Sequence, residues 1–256
     1  TWRSCSAAES SMSERKVLFI VEGSRGEPRL LRRMHDVLFG TTPENIYWHG
    51  TVIYDLLNRM FESGDVDDLD VVSVLRESVT DPDRRRILKQ EFTDVYLVFD
   101  MDPHDPRYDK GLLDKAMGFF TESTDNGKLY LNYPMLESYR HLMSHDDWGY
   151  LDRTVPVDSL ADYKSLVDRE GHPDFKQLGR YNESTFGEII RMNVMKANLI
   201  LEGIGSLPDI ETFRSWDGSD ILDAQSDIMA SENRVYVLNT SVFYPVEFNP
   251  SRFLGS

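Results

Sequence analysis

Three acidic side chains carry the most chemical promise in this 256-residue chain: Glu22, Asp100 and Asp102. Glu22 closes the apolar run Lys16 to Glu22 (KVLFIVE), while Asp100 and Asp102 follow Asp94 to Phe99 (DVYLVF). Side chains alternate along an extended chain, so the two aspartates share one side if the strand continues through Met101. Carboxylates brought together repel unless a proton or cation intervenes. A hard divalent ion such as Mg2+ suits such an all-oxygen donor set. Either acid pattern alone also describes a solvated loop or a helix cap. Their combination, in this order, points to a metal centre.

The elements that must position these acids alternate between strand and helix. Lys16–Glu22 has the continuous apolar character of a strand covered on both faces. Gly23, Gly26 and Pro28 then open a helix carried by Leu30, Leu31, Met34, Val37 and Leu38. Asn45–His49 reads as a second strand, and Val52 to Phe61 as a helix after it. Gly64–Asp70 is an acidic loop. A helix is expected over Val71–Lys89, interrupted near Asp81-Pro82-Asp83. Asp94–Phe99 is the third strand, Leu112–Phe120 a helix and Lys128–Asn132 the fourth strand. This order predicts an α/β fold with a mostly parallel sheet between helices. Ligands of such sheets gather outside the carboxyl ends of the strands, where all three acids fall. Beyond about residue 140 the segments shorten and become rich in Asp and Tyr. One strong helix, Thr185–Leu201, and an extended stretch, Arg234–Tyr244, stand out there. The expected organisation is a domain over 12–145, with a mainly helical C-terminal region, 146–256, packed on it.

Composition narrows the partners. The formal net charge is −16, from 28 Lys and Arg against 44 Asp and Glu, which argues against broad, sequence-blind nucleic-acid binding. Two basic groups stand out: Arg25, Arg29, Arg32 and Arg33, then Arg84, Arg85 and Arg86. Solvated helix faces that balance nearby acids would account for both. No apolar run approaches the roughly 20 residues of a membrane-spanning helix. The sole cysteine, Cys5, lies in Thr1–Ser11, which reads as a vector-derived tail ahead of a native start at Met12. A reducing, cytoplasmic setting follows.

These motifs resemble the TOPRIM superfamily. Its two signatures are a strand ending in Glu-Gly, here Val17 to Gly23, and a later strand ending in Asp-x-Asp, here Val95 to Asp102. The spacing is similar to that of TOPRIM nucleases in bacterial phage defence: OLD-type nucleases, RloB-like proteins and the PARIS effector. Tyr133-Pro134-Met135-Leu136-Glu137-Ser138 resembles an Asn-Pro-x-Phe-Glu segment of RloB-like proteins, with Tyr133 for the Asn and Leu136 for the Phe. The resemblance covers about residues 15 to 145.

It implies metal-assisted phosphodiester cleavage of DNA or RNA, tRNA included. Glu22, Asp100 and Asp102 would hold one or two Mg2+ or Mn2+ ions, with Glu22 doubling as a general base. A further acid is expected four residues after the first, but Glu27 lies five after Glu22. Glu27 and Glu137 are additional candidate ligands. Lys196 shares a helical face with Met192 and Ile200; it is a candidate catalytic cation or a lysine snorkelling from a buried face. His104 is a weaker neighbour of Asp102. Tyr96, Tyr130 and Tyr133 read as packing residues. The chain has no Gly-x-x-x-x-Gly-Lys loop, so a controlling ATPase of SMC or AAA type would be a separate polypeptide. Self-association is a further expectation. The main alternative is a catalytically weak regulatory or binding subunit of a larger complex. Haloacid-dehalogenase-type phosphotransferases and metal-dependent glycosyltransferases also use Asp-x-Asp. They predict neither its place after the third strand nor the Glu-Gly unit.

Overall fold

The strongest strand signals meet in one sheet. The computed structural model describes residues 15–43, 45–61 and 70–254. In it, β1 (Val17–Val21) lies between β2 (Asn45–Trp48) and β3 (Asp94–Asp100). Both pairings are parallel, with Val21 opposite Trp48 on one flank and Val98 on the other. β4 (Thr121–Glu122) is an antiparallel edge on β5 (Gly127–Asn132), and the five strands run in the order β2-β1-β3-β5-β4. The sheet is mostly parallel and flanked by helices, as expected.

Burial explains why β1 is central. Leu18, Phe19, Ile20 and Val21 are all inaccessible to solvent, and each such side chain contributes about 1.5–3 kcal/mol when buried. Tyr96 stacks on Phe19 and on Tyr130, at 5.6 and 6.0 Å between ring centroids. With Tyr133 also fully buried, these tyrosines are packing residues. α1 (Gly26–Phe39) buries Leu30, Leu31, Met34 and Leu38, and α2 (Ile53–Phe61) buries Ile53, Tyr54, Leu56, Leu57 and Met60. These are the apolar stripes of the sequence.

The expected Val71–Lys89 helix is two helices, α3 (Val71–Ser78) and α4 (Pro82–Leu88). The break falls where the Asp81-Pro82-Asp83 signal put it: Pro82 has no N–H to continue a helix, and Asp81 is extended and caps α4 through the Arg84 N–H. Of the Gly64–Asp70 loop only Asp70 is among the described residues, where it caps α3. α5 (Lys110–Phe119) precedes β4.

The chain divides into two compact units. Among the described residues one comprises 15–32, Thr42–Phe99 and Asp109–Tyr130, and the other Arg33–Thr41, Asp100–Tyr108 and 131–254. The second unit holds β6 (Thr154–Pro156), α6 (Tyr163–Glu170), α7 (Glu183–Glu202), α8 (Ile210–Ser215) and α9 (Gly218–Glu232), then β7 (Arg234–Tyr236), α10 (Tyr244–Phe248) and α11 (Pro250–Phe253). α7 begins at the Asn182 cap and stops at Gly203, whose φ of 73° glycine adopts without strain. The extended stretch expected over Arg234–Tyr244 is only partly so. β7 ends at Tyr236, Leu238 bridges Tyr133, and a 3-10 turn, Ser241–Phe243, leads into α10. Pro245 sits in the first turn of α10, a place where its missing N–H costs nothing.

Candidate metal centre

Glu22 is the first residue past β1, and strand pairing carries on through its backbone. Its N–H donates to the Val98 carbonyl at 3.3 Å, and its own carbonyl accepts the Gly50 N–H at 2.9 Å. Asp100 ends β3, is only 6% exposed, and accepts a hydrogen bond from Asn132 Nδ2 at 3.3 Å. The Asn132 side-chain oxygen in turn accepts the Ser241 N–H.

Asp102 departs from the simple strand picture. Its φ is 42°, in the left-handed region that Asp tolerates better than most residues. The extended conformation therefore ends at Asp102, and alternation alone does not bring the two aspartates together. Backbone bonds hold the turn: the Met101 N–H donates to the Asn132 carbonyl at 3.0 Å and the Asp102 N–H to the Pro134 carbonyl at 3.1 Å. The result is convergence. One carboxylate oxygen each from Glu22, Asp100 and Asp102 lie within 4.8 Å of one another.

Burial pushes the Asp102 carboxyl above its ordinary value, and the charges of Asp105 and Glu137 push the same way. His104 and Lys164 oppose them. Glu137 thus acts on Asp102, although it is not one of the three convergent acids. It sits on a 3-10 helix, Leu136–Arg140, with Oε1 3.6 Å from Lys164 Nζ and Oε2 buried without a hydrogen-bond partner. Glu27, in the first turn of α1, is 6% exposed and lies over Gly23. A Cβ at position 23 would stand 2.9 Å from Glu27 Oε2, so glycine is what lets the side chain fold back there. It too lies outside the convergent three.

Lys196 has other work. It is fully buried on α7, its ammonium donates to the carbonyls of Tyr150 and Arg153, and it faces the Tyr150 ring at 4.9 Å. Burial pushes its pKa well below the ordinary value. No part of the side chain reaches water, so it does not snorkel. His104, a sequence candidate, and Lys164 are the groups whose charge favours ionised Asp102; sequence reasoning missed Lys164, because position 164 carries no motif.

His49 was read only as a strand residue. Both its ring nitrogens are buried without hydrogen-bond partners, and its ring lies 6.2 Å from that of Phe99, the neighbour of Asp100. Burial, helped by Arg59 and Arg84 and opposed by Asp55, lowers its pKa to about 4. The basic groups also separate. Arg84 Nη2 donates to the Tyr47 hydroxyl and to the carbonyls of Trp48 and His49, and Arg33 to Asp36 and the Tyr181 carbonyl. Arg25, Arg29 and Arg32 are exposed, and their spacing puts them on one side of the start of α1. Arg85 and Arg86 are exposed on α4.

Fold and site together define an α/β protein with three acids gathered at the carboxyl ends of adjacent parallel strands. Compared with known proteins, the chain matches no family model, no curated protein and no solved structure. No helix among the described residues is long and apolar enough to cross a membrane.

Proposed function

We propose that this protein is a metal-dependent phosphodiesterase of TOPRIM type, acting on DNA or RNA in phage defence under the control of a separate ATPase. The observation that carries the reading is the approach of the Glu22, Asp100 and Asp102 oxygens to within 4.8 Å. Three carboxylates so close are costly without a counter-charge, and their all-oxygen donor set fits Mg2+ or Mn2+. Glu22, Asp100 and Asp102 would hold the ion, with Glu137 Oε2 as a further oxygen near Asp102. When bound, such an ion supplies charge stabilisation at a phosphate and lowers the pKa of water. Glu22, less buried than Asp100, would serve as the general base. Arg25, Arg29 and Arg32 lie within ten positions of Glu22 in sequence and offer exposed guanidinium groups for phosphates.

The net charge of −16 favours a second reading, a regulatory subunit that relies on a partner to recruit nucleic acid. One experiment separates the two. Purified protein is incubated with Mg2+ or Mn2+ and plasmid DNA, single-stranded DNA or tRNA, alone and with any ATPase recovered by native pull-down. Cleavage that is lost in Glu22→Gln and in Asp100→Asn supports the nuclease. No cleavage of any substrate, with or without the recovered partner, sinks it and leaves the subunit.

A further inference from the structure

A second cluster of metal-ligating groups lies wholly within the second unit, away from any recognised motif. His145, His172 and Asp174 each bring one ligand atom within 4.8 Å of the other two. His145 precedes Asp146, and His172 and Asp174 flank Pro173 at a 3-10 turn, Pro173–Phe175, that follows α6. We propose that these three side chains form a site for a divalent transition ion, Zn2+ by preference, with solvent completing the coordination.

Distances support the donor set. Zn–N and Zn–O bonds of about 2.0–2.1 Å put neighbouring ligands of a tetrahedral ion about 3.3 Å apart. Asp174 Oδ2 lies 3.0 Å from His145 Nε2 and 3.7 Å from His172 Nδ1, values that bracket this spacing. Two imidazoles among the ligands select a borderline metal over Mg2+, which prefers oxygen.

The surroundings of His145 are the second observation. Its other ring nitrogen, Nδ1, lies 2.7 Å from Glu188 Oε2, and Glu188 Oε1 accepts the Asp146 N–H at 2.6 Å. A carboxylate behind a ligating histidine fixes the tautomer, leaving the proton on Nδ1 and the Nε2 lone pair facing outward. Here that lone pair faces Asp174. A bare lone pair opposite a carboxylate oxygen is repulsive, so Nε2 must carry either a proton or a metal. At His172, the Asp174 N–H approaches Nδ1 at 3.4 Å, which requires a lone pair on that nitrogen also. Both histidines thus turn unprotonated nitrogens toward one carboxylate once His145 is neutral. Side-chain exposures of 53%, 34% and 64% for His145, His172 and Asp174 leave the site open to ions from solution.

Titration of the protein with Co2+ tests this, because a site with nitrogen ligands and low coordination number gives intense visible bands. An all-carboxylate octahedral site gives weak ones. The expected result is one such Co2+ per chain, displaced by Zn2+ and not by excess Mg2+. The spectrum should persist in Asp100→Asn and disappear in His172→Ala and in His145→Ala. Glu188→Gln should keep the spectrum while raising the Co2+ dissociation constant about 10-fold or more. Circular dichroism of each variant establishes that it is folded, and the exposure of these side chains makes that the expected outcome. Absence of the intense bands in the unmodified protein at millimolar Co2+ overturns the proposal. So does a spectrum unchanged in folded His172→Ala. In either case His145 is simply a protonated bridge between Glu188 and Asp174.

Discussion

Asp100 and Lys196 are both buried charged side chains, yet their surroundings give them opposite consequences on removal. Asp100 stands among three mutually repelling carboxylates. Asp100→Asn removes one charge and keeps an oxygen to accept the Asn132 bond, so the metal-free protein should lose little stability or gain about 1 kcal/mol. The loss should appear only with metal. Mg2+ at 100 times its dissociation constant stabilises a site-bearing fold by about 2.7 kcal/mol, and Asp100→Asn should forfeit that increment. Thermal melts in Mg2+ and in EDTA read both quantities, and an equal Mg2+ response in the two proteins would contradict the site. Lys196→Met should do the reverse. It removes one of two hydrogen bonds at each of the Tyr150 and Arg153 carbonyls, which keep the Arg153 and Val237 N–H groups; at about 0.5–1.5 kcal/mol per bond it should lower the urea midpoint while leaving the Mg2+ increment intact. A catalytic lysine would show the opposite pattern: normal stability and lost turnover.

Elements bring these side chains into place, and the asparagine at the end of β5 shows how. Asn132 donates to Asp100 and accepts from Ser241, so it ties the end of β3 to the segment after β7. Asn132→Ala should weaken Mn2+ binding, and the effect should vanish in an Asp100→Asn background. A calorimetric double-mutant cycle with a coupling energy of about 0.5–3 kcal/mol is the expected result, and additive effects would mean that Asn132 does not act through Asp100. The strands were legible because β1 and β3 are covered on both faces and read as unbroken apolar runs. The split between α3 and α4 was legible because proline acts locally. The end of β7 was not, since a bridge to Tyr133, 105 positions away by number (238 − 133), decides where extension stops. For the same reason the acids could be grouped from sequence, Glu22 and Asp100 each marking a strand end, whereas His145 and His172 could not. They lie on irregular segments with no period to relate them, and Lys164 meets Glu137 only through the folding of short turns. The left-handed turn at Asp102 was hidden as well, because Asp-Pro after a strand reads equally as continued extension.

Taken whole, the molecule is acidic on its surface and stores neutral histidines inside, and this combination sets its response to pH. Burial lowers the His35 pKa from 6.5 to about 4. At His141, burial and the Arg153 charge outweigh Glu170 and lower it to about 4 as well. Their depressed values mean that the unfolded chain binds more protons than the folded one between pH 6.5 and 4. Stability from these groups is therefore complete above pH 6.5 and declines as pH falls through that window. With both sites engaged the slope is roughly 2.7 kcal/mol per pH unit, at ~1.36 kcal/mol for each proton, and His49 adds with the same sign. Two shifts run the other way. The raised value of Asp102 adds stability as pH falls through its folded value toward the ordinary carboxylate range, one group opposed in sign to the histidines. Exposed His145, raised by Glu188 and Asp174, gains from protonation but is screened by solvent. The histidines should therefore dominate, and against a typical stability of about 5–15 kcal/mol their effect is large. Urea midpoints should fall steeply from pH 7 to pH 5, and His35→Phe, which keeps the ring beside Phe39 and Tyr244 without the titrating nitrogens, should flatten that slope by close to one proton. An unchanged slope would mean that His35 is not the neutral, buried group its packing describes.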